Sequence, residues 1–208
     1  MSRPEVRQVV LASNNAKKLA ELRRILEPLV PGIEVLGLSD VAPYDEPAET
    51  EPTFEGNALI KARACLAVTG LPSLADDSGL CVDALNGMPG VLSARWSGVA
   101  KDAGGDAANN ALLLSQLSDV PAERRTARFR CAVALCTTEG VEVVELGEMS
   151  GRLLGAEQGE GGFGYDPLFV ADGYDVSTAQ LPAGEKDRIS HRGKALTAIA
   201  PAIVAALS

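Results

Sequence analysis

The chain has 208 residues, a length that suits one large α/β domain or two small lobes sharing a core. Apolar residues make up 46% of it, enough for a sizeable interior, and the net charge of −9 argues against a broad basic surface for nucleic-acid phosphates. Basic groups that grip a phosphate must therefore be few and local.

Residues 7–12 (RQVVLA) are β-branched and apolar and predict a strand, which SNN then breaks. From Ala16, Leu19, Leu22, Leu26 and Leu29 recur at helical spacing opposite Lys17, Lys18, Glu21, Arg23 and Arg24. A strand–turn–helix opening aims backbone N–H groups and the positive helix end at whatever lies above the strand. The Pro- and acid-rich stretch 39–52 predicts an exposed loop. Thr53 can cap a helix to about Val68, with Phe54, Ala58, Ala62 and Leu66 on its apolar face and Asn57 and Lys61 one turn apart on another. LPSLA (71–75) predicts a short strand ending in DDSG, and NGMPG a turn. Residues 105–118 predict a helix with Leu112, Leu113 and Leu117 as its core face, followed by strands over 127–137 and 141–148 joined by TEG. The glycine-rich loop 159–167 leads into LFV, and a final helix starts near Arg192. The alternation followed by a hairpin predicts an α/β fold with a mixed sheet flanked by helices. No repeat or linker marks a domain boundary, so 1–208 reads as one domain.

Four cysteines, Cys65, Cys81, Cys131 and Cys136, form no CxxC pair, and most lie in apolar runs, which predicts buried free thiols in a reducing compartment. The N-terminal apolar stretch is too short for a secretory segment. The longest apolar tract, 195–207, is interrupted by Pro201 and shorter than the ~20 residues of a membrane span. A cytoplasmic protein without a membrane partner is the expectation.

DDSG (76–79) follows a predicted buried strand, and strand ends are where α/β folds place ligands. If the strand continues, the two carboxylates point in opposite directions. Carboxylates without His or Cys favour Mg²⁺ or Mn²⁺ over zinc. Taken alone, the tetrapeptide favours an Asp-rich turn over a metal site. Ser13, Asn14 and Asn15 with Lys18 could bind an anion at the first helix, but spacing alone favours simple helix capping. No GxxxxGK[ST] occurs, which excludes a P-loop, and no GxGxxG follows a strand. Phe163 and Tyr165 stand among glycines, either as stacking faces for a base or as rings tucked into the core. His191, the single histidine, sits between Ser190 and Arg192 at a helix start, which favours ligand contact over a purely structural role.

Individually weak, these signals are ordered. SNNAKK at 13–18, ETEPTFEGNALIKA at 49–62, ADDSGL at 75–80, GGFGYDPLF at 161–169 and SHRGKAL at 190–196 resemble, in sequence and spacing, the inosine/xanthosine triphosphate pyrophosphatases, which remove deaminated purine nucleotides. The resemblance runs from Val9 to about Ala198. It implies an elongated mixed sheet, two lobes with a central active-site cleft, and a homodimer. It implies that Asp77 is the catalytic carboxylate and a Mg²⁺ ligand (Mn²⁺ possible), with Glu49 as the second metal carboxylate. Ser13, Asn14, Asn15, Ala16, Lys17, Lys18 and Lys61 would hold the triphosphate, and Ser78 would adjoin the catalytic Asp. Phe163, Gly164, Tyr165, Asp166, Lys186, His191 and Arg192 would form the base pocket. Gly56 departs from the family pattern, which often has an acidic residue there.

The implied reaction hydrolyses XTP, ITP or dITP to the monophosphate and pyrophosphate, with water directed at the α-phosphorus by positioning and electrostatics. Donors facing a 6-oxo group would leave an adenine amino group unpaired, which costs roughly 1–3 kcal/mol per mismatch. Two rivals differ in signature. A Maf-type pyrophosphatase resembles an LASxSPRR opening, whereas this chain reads LASNNAKK. A nucleotide-binding regulator without turnover would lack a metal carboxylate, whereas Asp77 and Glu49 are both present.

Overall fold

The β-branched run Arg7–Leu11 forms strand β1 in a computed structural model that describes residues 7–207. Helix α1 (Ala16–Leu29) follows, with Asn15 as its N-cap: the Asn15 side chain accepts from the Lys17 and Lys18 N–H groups. Strand β2 (Ile33–Leu36), helix α2 (Phe54–Thr69) and strand β3 (Ser73–Val82) come next. Helix α3 spans Gly105–Gln116, and strands β4 (Thr126–Cys136) and β5 (Glu142–Leu153) form the expected pair. Strand β6 (Phe169–Ala171), helix α4 (Ala183–Ile189) and helix α5 (His191–Ala206) complete the chain. The sheet order is β2-β1-β3-β4-β5-β6. It is mixed: β1 runs parallel to β2 and β3, and β6 runs antiparallel to β5.

DDSG does not end its strand. β3 continues through Asp76, Asp77, Ser78 and Gly79 to Val82, almost wholly buried. Turn-forming side chains remain extended here because the carboxylates find charged partners within the fold, which overrides local preference. Two short elements, β2 and α4, carry no periodic signal and are additions to the expected set. On α2 the apolar face is Phe54, Ala58, Ala62 and Cys65, with Leu66 only partly buried. Leu113 on α3 and Leu117 at its C-cap are buried as expected, but Leu112 only partly.

The chain forms two compact units. Unit 1 comprises residues up to Asp77, Cys131–Gly147 and Arg192 onward. Its core gathers Val9 and Leu11 of β1, Leu22 and Leu26 of α1, Val133 and Leu135 of β4, and Leu196, Ile199 and Ile203 of α5. The i, i+3 and i+4 spacing of the helical members presents one stripe to the strands. Burying Leu22 and Leu26 contributes roughly 1.5–3 kcal/mol each, and Leu26→Ala would cost about 2–5 kcal/mol through the cavity it leaves. Unit 2 comprises Ser78–Arg130 and Glu148–His191. Its core gathers Leu80, Val82, Leu113, Leu117, Phe129, Met149, Leu168 and Phe169. All four cysteines are buried free thiols. Among the described residues, no helix is long and apolar enough to cross a membrane.

Candidate active site

In unit 1, the first turn of α1, one face of α2 and the centre of β3 converge on a buried ion cluster. Asp76 and Asp77, adjacent on β3, are 2% and 6% exposed and serve different partners. Asp76 Oδ2 accepts from Lys18 Nζ at 2.9 Å and from Arg192 Nε at 3.1 Å. Arg192 Nη1 donates to Glu21 Oε2 at 2.7 Å. Asp77 Oδ2 accepts from Asn57 Nδ2 at 3.1 Å, and its Oδ1 lies 3.5 Å from Lys61 Nζ. Lys61 Nζ also donates to Glu49 Oε1 at 2.7 Å. The i, i+4 spacing of Asn57 and Lys61 therefore brings an amide and an ammonium to one carboxylate.

The electrostatics follow from composition. Four carboxylates, Glu21, Glu49, Asp76 and Asp77, share three cations, Lys18, Lys61 and Arg192. Burial alone would raise Asp76, but Lys18, Arg192 and Lys61 outweigh it and hold the carboxyl well below the usual carboxylate range. Asp77 goes the other way: burial pushes it up, Lys61 opposes, and the like charge of Glu49 adds to the rise. Burial disfavours the Lys61 ammonium, yet Asp77, Asp76 and Glu49 together keep it charged.

Asp77 and Glu49 thus compete for one ammonium and supply only oxygen donors. Asp76 Oδ1 is buried with no hydrogen-bond partner among the described residues, so acceptor capacity remains in the cluster. Among the described residues, no group of three or more His, Cys, Asp or Glu side chains gathers as a protein-made metal cage would require. Two carboxylates suit a hard divalent cation that keeps its waters and takes phosphate oxygens as further ligands, as Mg²⁺ does. They do not suit zinc.

The anion turn at 13–18 is partly committed to capping. Ser13 Oγ accepts from Asn15 N–H at 3.2 Å, and Asn15 Oδ1 accepts from the Lys17 and Lys18 N–H groups at 3.1 and 3.3 Å. Asn14 donates to Glu46 of the acidic loop. Asn14, Ala16 and Lys17 are exposed, while Ser13 and Lys18 are half-buried. Gly56 has a local reason. A Cβ there would lie 2.6 Å from Glu51 Cβ, and Gly56 N–H donates to the Thr53 cap, so a side chain would force the acidic loop away from α2.

In unit 2, the loop 159–167 is organised around Asp166. Its Oδ2 accepts from Phe163 N–H at 2.8 Å and from Lys186 Nζ at 2.6 Å, and its Oδ1 accepts from Thr178 Oγ1 at 2.9 Å. A Cβ at Gly162, where φ is +72°, would meet that carboxylate at 2.1 Å, so only glycine lets the loop close on it. The two rings part company. Tyr165 is tucked into the core with its hydroxyl donating to the Ser93 carbonyl at 2.9 Å, while Phe163 stays half-buried with Lys186 Nζ 5.1 Å from its ring centre. His191 is 6% exposed and stacks on Phe129 at 4.9 Å. Ser78 is half-buried on β3. Arg192 belongs to unit 1, where two carboxylates hold its 2%-exposed guanidinium. Asn57, Asp76 and Glu21 are additions to the expected site. Asn57 is signalled by its spacing from Lys61, whereas Glu21 is an acid one position before the apolar stripe of α1, with no partner close in sequence.

A model of the Ham1 family matches residues 9–202. A dITP/XTP pyrophosphatase of Nocardia farcinica is 62% identical over 199 residues, covering 95% of each chain. One of Cutibacterium acnes is 52% identical over 202 residues, covering 96% of this chain and 98% of its own. Among solved structures, a nucleoside-triphosphatase, or dITP/XTP pyrophosphatase, from Mycobacterium abscessus shares 56% identity with a TM-score of 0.75, covering 93% of this chain and 99% of its own. A HAM1 protein from Coxiella burnetii shares 37% identity with a TM-score of 0.83, covering 96% of this chain and 99% of its own.

Proposed function

Because the chain belongs to the Ham1 family, we propose that it hydrolyses deaminated purine nucleoside triphosphates, XTP, ITP and dITP, to the monophosphate and pyrophosphate. The observation that carries this reading is the buried Asp77, bonded to Asn57, shared with Lys61 and facing the like charge of Glu49. The names of the Nocardia and Mycobacterium relatives agree with it.

Asn57 fixes one oxygen of Asp77, and Oδ1, which Lys61 contacts at 3.5 Å, takes a proton from a water molecule as Lys61 turns to the phosphates. The upward shift of Asp77 makes it a better proton acceptor than an ordinary carboxylate, as a base working near neutral pH requires. Lys61 and Lys18 act as point charges for the phosphates, each released from its carboxylate as the anion arrives. Asp77 and Glu49 are the residues that would hold a Mg²⁺ or Mn²⁺ ion, which when bound would supply charge neutralisation for the departing pyrophosphate. In unit 2, Phe163 offers a stacking face, and the Asp166–Lys186 pair supplies charge and donors for a purine.

The same reading extends to a homodimer working in the cytoplasm, where free cysteines remain reduced; light scattering of the purified protein tests the dimer. The function is tested by incubating the protein with ITP, XTP, dITP, ATP and GTP, with and without Mg²⁺. Magnesium-dependent pyrophosphate release from the first three is expected, with ATP and GTP poor. Release of orthophosphate alone would overturn the bond assignment.

A further inference from the structure

Gly164 lies between Phe163 and Tyr165 with φ at +62°, and both of its backbone groups are taken by one helix. Its N–H donates to Asp106 Oδ2 at 3.1 Å, and its carbonyl accepts from Asn110 Nδ2 at 3.2 Å. Asp106 and Asn110 stand at i and i+4 on α3 and therefore on the same face. The Asn110 amide also donates to Glu157 Oε1 at 2.8 Å, so it ties the segment just before the loop to the loop's middle. One residue on, the Tyr165 ring is buried in the core and its hydroxyl donates to the Ser93 carbonyl, so the ring's position does not rest on that bond alone. Asn109 holds that neighbourhood, accepting from Ser97 N–H at 2.7 Å and donating to the Ser93 and Ala94 carbonyls at 3.3 Å each.

Asn110 is 3% exposed, and its Oδ1 is buried with no hydrogen-bond partner among the described residues. A helix residue that only filled space there would be better apolar, because a buried acceptor without a donor is costly. The amide is instead turned so that its nitrogen reaches two loop acceptors at once. Asp106 is half-buried at the first turn of α3, where its charge also favours the helix.

We infer that Asp106 and Asn110 are positioning residues for purine selection, clamping Gly164 so that Phe163 and the Asp166–Lys186 pair keep a fixed aim. The inference rests on the reading of unit 2 as the base-binding part. A rigid loop rejects a base whose edge groups do not match, whereas a loosened one adapts to it. Bond cleavage is assigned to unit 1, so the clamp acts on KM and selectivity and leaves kcat alone.

Asp106→Ala and Asn110→Ala are expected to raise KM for ITP about fivefold, the worth of one net hydrogen bond, with kcat within about twofold. The ITP-over-ATP ratio of kcat/KM is expected to fall by the same factor. Asp106→Asn keeps an acceptor and restores both values. Hydrogen–deuterium exchange at the Gly164 amide speeds up in Asp106→Ala and returns to the parent rate in Asp106→Asn. Asp106 is only half-buried, so its alanine variant stays folded even if the Asn110 variant does not. Unchanged KM and selectivity in folded Asp106→Ala, or unchanged Gly164 exchange, would overturn the clamp. If the parent protein did not turn over ITP at all, the base-site reading would fall, and Gly164 exchange would still decide the clamp.

Discussion

The two units weight their polar contacts differently. In unit 1, side chains answer side chains: Lys18, Lys61 and Arg192 face Glu21, Glu49, Asp76 and Asp77 in a buried cluster with one more negative charge than positive. In unit 2, beside the Asp166–Lys186 pair, side chains mainly answer the backbone of one loop and its support: Asp166 holds Phe163 N–H, Asp106 and Asn110 hold Gly164, and Tyr165 holds the Ser93 carbonyl. A cluster of the first kind is adjusted by charge and moves when an ion or phosphate arrives. An array of the second kind fixes a shape. Under the proposed function, chemistry belongs with the former and recognition with the latter.

That division can be broken by substitution. The largest effect is expected at Asp77. Asp77→Asn should lower kcat for ITP by about 10²–10⁴-fold, the usual contribution of a general base. Its stability should move the other way. The folded carboxyl is shifted up, so the ionised form costs stability that grows as pH rises through the folded value, and the neutral amide removes that cost at pH 7. A melting temperature equal to or above the parent's is expected, and a large drop would show that Asp77 is chiefly structural.

Next comes Glu21. Glu21→Gln leaves Arg192, 2% exposed, with one carboxylate instead of two, and truncating a buried pair costs on the order of 3–5 kcal/mol. Urea unfolding measures it. Lys186→Met, which opens the Asp166 pair of unit 2, should cost less, because Asp166 keeps its bonds from Phe163 and Thr178. The reverse order would erase the contrast between the units.

The acid limb sharpens the contrast further. Asp76 is held below its unfolded value of about 3.9, so it contributes stability that is fully present above that pH. This contribution is lost as pH falls through the folded value. Asp76→Asn should therefore flatten the decline in stability below pH ~4. An unchanged acid limb would remove Asp76 from the ion cluster's energetics.

Smallest of all is Tyr165→Phe. Losing the bond to the Ser93 carbonyl should cost about 1 kcal/mol in urea unfolding, with KM for ITP unchanged because the ring is core, not pocket. A large rise in KM would return Tyr165 to the base contacts.

Much of the frame was legible before any coordinates. Thr53 as cap and Asn57 with Lys61 one turn apart are local patterns, and local patterns survive folding. DDSG misleads on its own because Asp, Ser and Gly share turn statistics, while the reason they stay extended is an Arg192 that lies 116 residues from Asp76 in sequence. The Glu21–Arg192 pair spans 171 residues and leaves no spacing to read. For Phe163 and Tyr165, composition offered stacking or core to both, and packing buries Tyr165 while leaving Phe163 half-buried.

The central claim is that water attacks the α-phosphorus, so that pyrophosphate leaves intact. Hydrolysis of ITP in ¹⁸O-water, with both products analysed by mass spectrometry, tests it most directly. The account predicts one ¹⁸O in the inosine monophosphate and none in the pyrophosphate. Label in the pyrophosphate, or in free orthophosphate, would contradict it.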